Sequence, residues 1–252
     1  MGFLHEGHLS LIRRAKKEAD VVIVTIFVNP TQFGPTEDFD RYPRDEKGDV
    51  KKIKANGGDI VFIPKREEIY RDNYKTYVNV EDVTTVLEGK IRPGHFRGVT
   101  TIVAKLYNMT RPDVVVFGLK DFQQSVVLRH MTGDLGYPIK YVVAPTVRER
   151  DGLAMSSRNK DLSEQQRREA ICLYRSLRTA REMVKSGVSD VVKIEKEMRA
   201  VISATCPTAI IDYIAFNDLK TIEPRKAVTK DTVCSLAVRV GAVRLIDNMK
   251  LR

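Results

Sequence analysis

The 252 residues include 42% hydrophobic and 30% charged side chains, which is enough apolar content to bury a core and excludes a disordered chain. Lys and Arg outnumber Asp and Glu by 43 to 33, and the resulting formal charge of +10 favours anionic partners such as nucleotides, phosphorylated metabolites or nucleic acid without choosing among them. Three scattered cysteines (Cys172, Cys206, Cys234) argue against a disulfide framework or a Cys/His metal site, and no apolar run reaches the roughly 20 residues that span a bilayer, so the expected setting is the cytosol.

The chain opens on MGFLHEGH, and a helix is expected at 9–19. Then come a β-branched run at 21–28, a helix near 45–56, a short strand at 59–64, a helix at 98–109, a strand at 113–118, a helix at 120–134 and a strand at 139–145. Strands alternating with amphipathic helices predict a Rossmann-like α/β domain over 1–146, a parallel sheet with helices on both faces. In the 98–109 helix, Val99, Ile102, Val103 and Leu106 share one face. A strand is expected in front of MGFLHEGH, because a loop leading into the first helix of such a fold is normally fed by a central strand. Its absence from the sequence as given leaves open a truncated, inactive or domain-swapped fragment.

From 147 to 252 the pattern changes to a smaller α+β lid domain. A long helix opens with the capping pair Ser163 and Gln166 and repeats Ala170, Leu173, Leu177, Ala180 and Val184 on one face. A second starts near Ser189 with Ile194, Met198, Val201 and Ile202, and strands follow at 209–216, 233–240 and 243–247.

Four segments carry chemistry. His5 and His8, three apart at a helix start with Gly2 nearby, suit a polyphosphate cradle, or else a surface or metal-binding histidine pair. Met155-Ser156-Ser157-Arg158 offers two hydroxyls and a guanidinium for phosphate oxygens, or is a polar linker. Gly118-Leu119-Lys120-Asp121, at a strand's carboxyl end, places a lysine where charge builds up on a phosphoryl group, and Gln124 follows with an amide for a small polar substrate. Asn29 and Gln32 end the first strand in the same way, although Asn-Pro and Gly are also ordinary turn residues.

Taken in order, MGFLHEGHLSLI, IFVNPTQFG, DRYPR, PGHFRGV, FGLKDFQQ and LAMSSRN resemble the signature segments of the pantothenate synthetase family, within the nucleotidyltransferase superfamily that shares HIGH-type motifs. The resemblance implies that ATP activates pantoate as an adenylate and that β-alanine displaces AMP. It implies that Met1, Gly2, Phe3, Leu4, His5, Glu6, Gly7 and His8 form an ATP loop with His8 as proton donor. Gly118, Leu119, Lys120 and Asp121 would line the adenosine and α-phosphate, with Leu119 where many relatives have Glu. Val147 would touch adenine, and Met155, Ser156, Ser157 and Arg158 would close on the outer phosphates. Gln32, Gln124, Asn29 and Tyr42 would bind pantoate or β-alanine, and Asp49 would stand on the side of a Mg2+ ion. The family also implies a cytoplasmic homodimer. The rival readings are another small-molecule nucleotidyltransferase and a nucleic-acid-binding module. Against the second, the basic residues are spread along the chain without a recognition motif.

Overall fold

The computed structural model describes residues 2–34, 39–40 and 42–252. The chain divides into two compact units, Met1–Gly118 with Gln123–Pro145, and Leu119–Phe122 with Thr146–Arg252. The short excursion at 119–122 is a division that a single boundary along the chain does not describe.

The first unit holds α1 (Glu6–Lys16), β1 (Ile23–Thr25), a 3-10 turn at Pro30–Gln32, α2 (Glu46–Ala55), β2 (Ile60–Phe62), α3 (Arg66–Ile69), α4 (Glu88–Ile91), α5 (His95–Thr110), β3 (Val114–Gly118) and β4 (Lys140–Ala144). It also holds all but the first residue of α6 (Phe122–Asp134). The strands pair in parallel, as alternating β and α segments require, but as two separate ladders, β1 with β2 and β3 with β4. β1 uses only three residues of its apolar run because a ladder extends no further than its partner, and β2 is equally short. Val22, Val24 and Ile26 point into a core with Ile12 and Ile53, whereas Val21 and Ile23 are exposed.

Helix α1 ties the two ladders together. Its Ile12 belongs to the β1 core, and Leu11 stands against Gly118 at the end of β3. On α5 the buried face is Val99, Ile102, Ala104 and Tyr107, with Val103 and Leu106 only partly covered. Val99, Ala104 and Tyr107 pack with Leu128 and Met131 of α6 over Val115 and Phe117 of β3.

In the second unit α7 (Glu164–Glu169), α8 (Cys172–Lys185) and α9 (Val191–Thr205) precede the antiparallel sheet β5 (Ile210–Asp218), β6 (Thr232–Val240) and β7 (Val243–Lys250). The helix expected from Ser163 onward breaks at Ala170–Ile171. Both residues stay in the right-handed region, so the apolar repeat continues across a locally tightened turn. Leu173, Leu177, Ala180, Val184, Ile194, Met198 and Ile202 form one core with the sheet, and Val201 lies outside it. The three cysteines are free and buried, and burial pushes the Cys172 thiol up to about 12. No helix among the described residues is long and apolar enough to cross a membrane.

Candidate active site

In the first unit His5 caps α1 in an extended conformation, and its backbone N–H donates to Nδ1 of His8 at 3.3 Å. That bond uses Nδ1 of His8 as an acceptor, so Nε2 is the ring atom left to donate. The two rings lie 4.0 Å apart at the positive end of an 11-residue helix. Glu6 turns outward and pairs with Arg13, and the Gly7 carbonyl accepts from the Ser10 hydroxyl at 2.7 Å. A side chain on Gly2 would meet Val28 and Ile26 at ordinary contact distances, from 3.5 Å outward. Met1 lies outside the described residues.

The segment before His5 is held from α2. Asp49, 1% exposed, accepts the Phe3 N–H on Oδ2 and the Leu4 N–H on Oδ1, each at 2.7 Å. Lys52, one turn on, donates to the Leu4 carbonyl at 2.9 Å. Phe3 has φ +50°, a left-handed conformation that costs a side-chain-bearing residue about 1–2 kcal/mol, so this grip holds a strained loop.

The turn after β1 is built around Asn29, 2% exposed, whose amide is spent on the protein. Its Oδ1 accepts the Tyr70 hydroxyl at 2.8 Å and the Thr31 hydroxyl at 3.0 Å, and its Nδ2 donates to the Gly98 carbonyl at 3.1 Å. Burial raises the Tyr70 phenol above its ordinary range, which keeps that O–H a donor. Asn29 therefore braces the loop. Gln32 is braced less: its Oε1 faces Asn29 Nδ2 at 3.4 Å, and its backbone carbonyl lies 2.8 Å from Nδ1 of His95. Tyr42 packs edge-on against Phe33, ring centroids 6.0 Å apart.

Gly98 lets α5 approach this turn, since an added Cβ would lie 2.3 Å from the Thr31 carbonyl oxygen and 2.7 Å from the Gln32 nitrogen. Alanine favours a helix over glycine by about 1 kcal/mol, but backbone overlap wins. Gly98→Ala should destabilise the chain by about 1–3 kcal/mol in urea denaturation. An unchanged midpoint would show that the turn and helix are not in tight contact.

Of the paired glutamines, Gln123 is buried and holds the chain at 83–88. Its Oε1 accepts the Glu88 N–H at 2.9 Å, and its Nε2 donates to the carbonyls of Val83 and Val86 at 2.8 Å each. Gln124, beside it at the start of α6, is partly exposed.

In the second unit Leu119–Asp121 form a 3-10 turn in which Lys120 Nζ lies 3.5 Å from the Asp121 carboxylate. Residues 147–155 fold back on themselves. The Met155 N–H donates to the Val147 carbonyl at 3.1 Å, which links the residue expected at adenine to the start of the Ser-Ser-Arg segment. Gly152 closes the turn at φ +100° against the Tyr174 ring. Asn159 anchors the far side through Glu149 at 2.8 Å and the Ala154 carbonyl at 3.1 Å. Ser156 caps a 3-10 helix at Ser157–Asp161 by accepting the Arg158 N–H at 3.2 Å.

A Pantoate-beta-alanine ligase family model matches residues 1–250. The chain belongs to that family. It is 51% identical to the pantothenate synthetase of Moorella thermoacetica over 251 residues, spanning 100% of this chain and 88% of the relative. It is 48% identical to that of Geobacter sulfurreducens over the same shares. The solved pantothenate synthetase of Thermus thermophilus superposes with a TM-score of 0.96 at 43% identity, covering 100% of this chain and 91% of that one. The Francisella tularensis pantoate-beta-alanine ligase, solved with beta-gamma ATP and beta-alanine, gives 0.82 at 36% identity, covering 100% and 87%.

Within this ligase, Asp49 does not fit a magnesium ion. Both of its oxygens are taken by backbone N–H groups in a buried pocket, whereas Mg2+ needs exposed oxygens with room for water. Among the described residues no group of three His, Cys, Asp or Glu side chains is placed to hold a metal. The sequence reading also missed Tyr70 and Gly98. Only Gly98, inside PGHFRGV, left a signal: a glycine within an otherwise good helix pattern marks a close approach.

Proposed function

We propose that this ligase makes pantothenate from pantoate, β-alanine and ATP in two steps. A carboxylate oxygen of pantoate attacks the α-phosphorus, the bond to the bridging oxygen breaks, and pyrophosphate leaves. The amine of β-alanine then attacks the acyl carbon of the pantoyl adenylate, the bond to AMP breaks, and the amine gives up a proton as the amide forms.

His8, whose Nδ1 accepts the His5 N–H so that Nε2 is its donor atom, carries this reading from the amino end of α1, since an oriented N–H donor at a helix terminus suits a leaving phosphate oxygen. His5 lies beside the phosphates within the loop Gly2–His8. Gln32 holds pantoate and then β-alanine, Gln124 holds pantoate, and Tyr42 lines the same substrates. In the second unit Gly118–Asp121 serve the adenosine and α-phosphate, with Lys120 neutralising charge that grows on it. Val147 serves adenine, and Met155–Arg158 serve the β and γ phosphates. No covalent enzyme intermediate is required, so positioning and charge stabilisation supply the rate. Magnesium enters with ATP and screens the phosphates against an anionic nucleophile. Buried free thiols suit a reducing cytoplasm, and the family resemblance supports a homodimer.

Incubation with pantoate, β-alanine, ATP and Mg2+ should yield pantothenate and AMP in equal amounts by mass spectrometry. Without β-alanine, pyrophosphate should exchange into ATP only when pantoate is present. A stable nucleotidyl product with no free AMP would assign the chain to another nucleotidyltransferase chemistry.

A further inference from the structure

In an antiparallel strand with one covered face, buried and exposed residues alternate. β7 follows that rule from Val243 to Ile246 and then breaks it, for Asp247 and Asn248 are both buried, 2% and 3% exposed. The second face is covered here by the turn at Leu119–Asp121. Asn248 Nδ2 donates to the carbonyls of Leu119 and Lys120, both at 2.9 Å. Two carbonyl acceptors fix which end of the amide is nitrogen.

Asp247 reaches the other way. Its oxygens accept Nη1 and Nη2 of Arg148 at 2.6 and 2.9 Å, a two-pronged pair, and it also accepts the Asn248 N–H at 2.7 Å. Arg148 goes on to the carbonyls of Gly152 at 3.1 Å and Asn248 at 3.2 Å, and its guanidinium stacks 4.7 Å over the Tyr174 ring. The hairpin it holds runs directly into Met155–Arg158. One buried pair on β7 therefore grips the backbone of Lys120 on one side and the hairpin leading to the Ser-Ser-Arg segment on the other.

We propose that Asn248 is a positioning residue for adenylation, fixing Lys120 relative to the Ser156–Arg158 segment through Asp247 and Arg148. This rests on the reading that those residues serve the phosphates of ATP. The role belongs to the step that expels pyrophosphate, because the relative placement of a lysine at one phosphate and hydroxyls at the next matters most while the bond between them breaks.

Asn248→Asp tests it with an almost isosteric side chain, in which an oxygen replaces the amide nitrogen and faces two carbonyl oxygens. Asn248→Ala removes the donors without that repulsion, and it carries the test if the aspartate variant does not fold. Pantoate-dependent pyrophosphate exchange and β-alanine attack on supplied pantoyl adenylate are measured separately, alongside thermal melting. The expected result is an exchange kcat lowered by about 10- to 100-fold with the KM for pantoate unchanged, while the second half-reaction falls by much less in a folded protein. Parallel loss of both half-reactions in proportion to unfolding would reduce Asn248 to a structural role and overturn the proposal, as would unchanged exchange in both variants. If the unaltered enzyme shows no pantoate-dependent exchange, the reading of the reaction fails instead.

Discussion

Replacing Lys120 with methionine should lower pantoate-dependent pyrophosphate exchange by about 10²- to 10³-fold, the usual cost of removing one preorganised charge from a transition state. Methionine keeps the aliphatic stem and removes only the ammonium, so packing is nearly conserved. The native partner of that ammonium is a partly exposed carboxylate, Asp121, at 3.5 Å, and surface pairs of this kind contribute at most about 1 kcal/mol to stability. Melting temperature should therefore hold while kcat falls. Lys120→Arg should not restore the rate, because a planar fork delivers its charge at a different reach and geometry from a compact ammonium. An exchange rate for the methionine variant within a few-fold of the unaltered enzyme would remove Lys120 from the chemistry and leave it as a solvated residue at the start of a helix.

The residues proposed to act on a ligand and the residues that hold them in place differed in how legible they were. Histidines three apart, a lysine after an apolar strand and Ser-Ser-Arg are visible because phosphate chemistry needs those groups, and the strands and helices carrying them follow from periodicity. Supporting residues leave no such trace. Asn29 sits in a segment that reads as a ligand loop, yet its amide is consumed by Tyr70, Thr31 and Gly98, partners 2 to 69 positions away along the chain. Asn248 follows the run 243–247 that reads as a strand, and nothing local says that residues more than a hundred positions earlier cover its second face. The split into two parallel ladders was equally hidden. Apolar runs announce strands, but the neighbour of each strand depends on which other strands are there to pair.

Asp49 separates a metal ligand from a clamp, and its replacement should show the second large effect. Asp49→Ala leaves the Phe3 and Leu4 N–H groups, each 2.7 Å from a carboxylate oxygen in the native chain, without their acceptor. Hydrogen bonds to a charged group contribute about 1.5–3 kcal/mol each, so about 3–6 kcal/mol of stability should be lost, before counting the left-handed Phe3 that the grip restrains. Lys52 would also lose the carboxylate oxygen 3.9 Å from its ammonium. Asp49→Asn is the sharper variant: the side-chain shape persists, but one of the two N–H groups now faces an amide N–H. It should lose roughly half as much stability in urea denaturation, and kcat should fall because His5 and His8 follow directly on the released segment. A ligand to magnesium predicts something different, a shifted Mg2+ requirement in a protein of normal stability, since the carboxylate would then be exposed to solvent and metal in the free enzyme. Measuring the urea midpoint and the Mg2+ concentration for half-maximal activity on the same Asp49→Asn preparation decides between them. Lowered stability with an unchanged magnesium dependence marks the clamp, and the reverse pattern returns Asp49 to the metal.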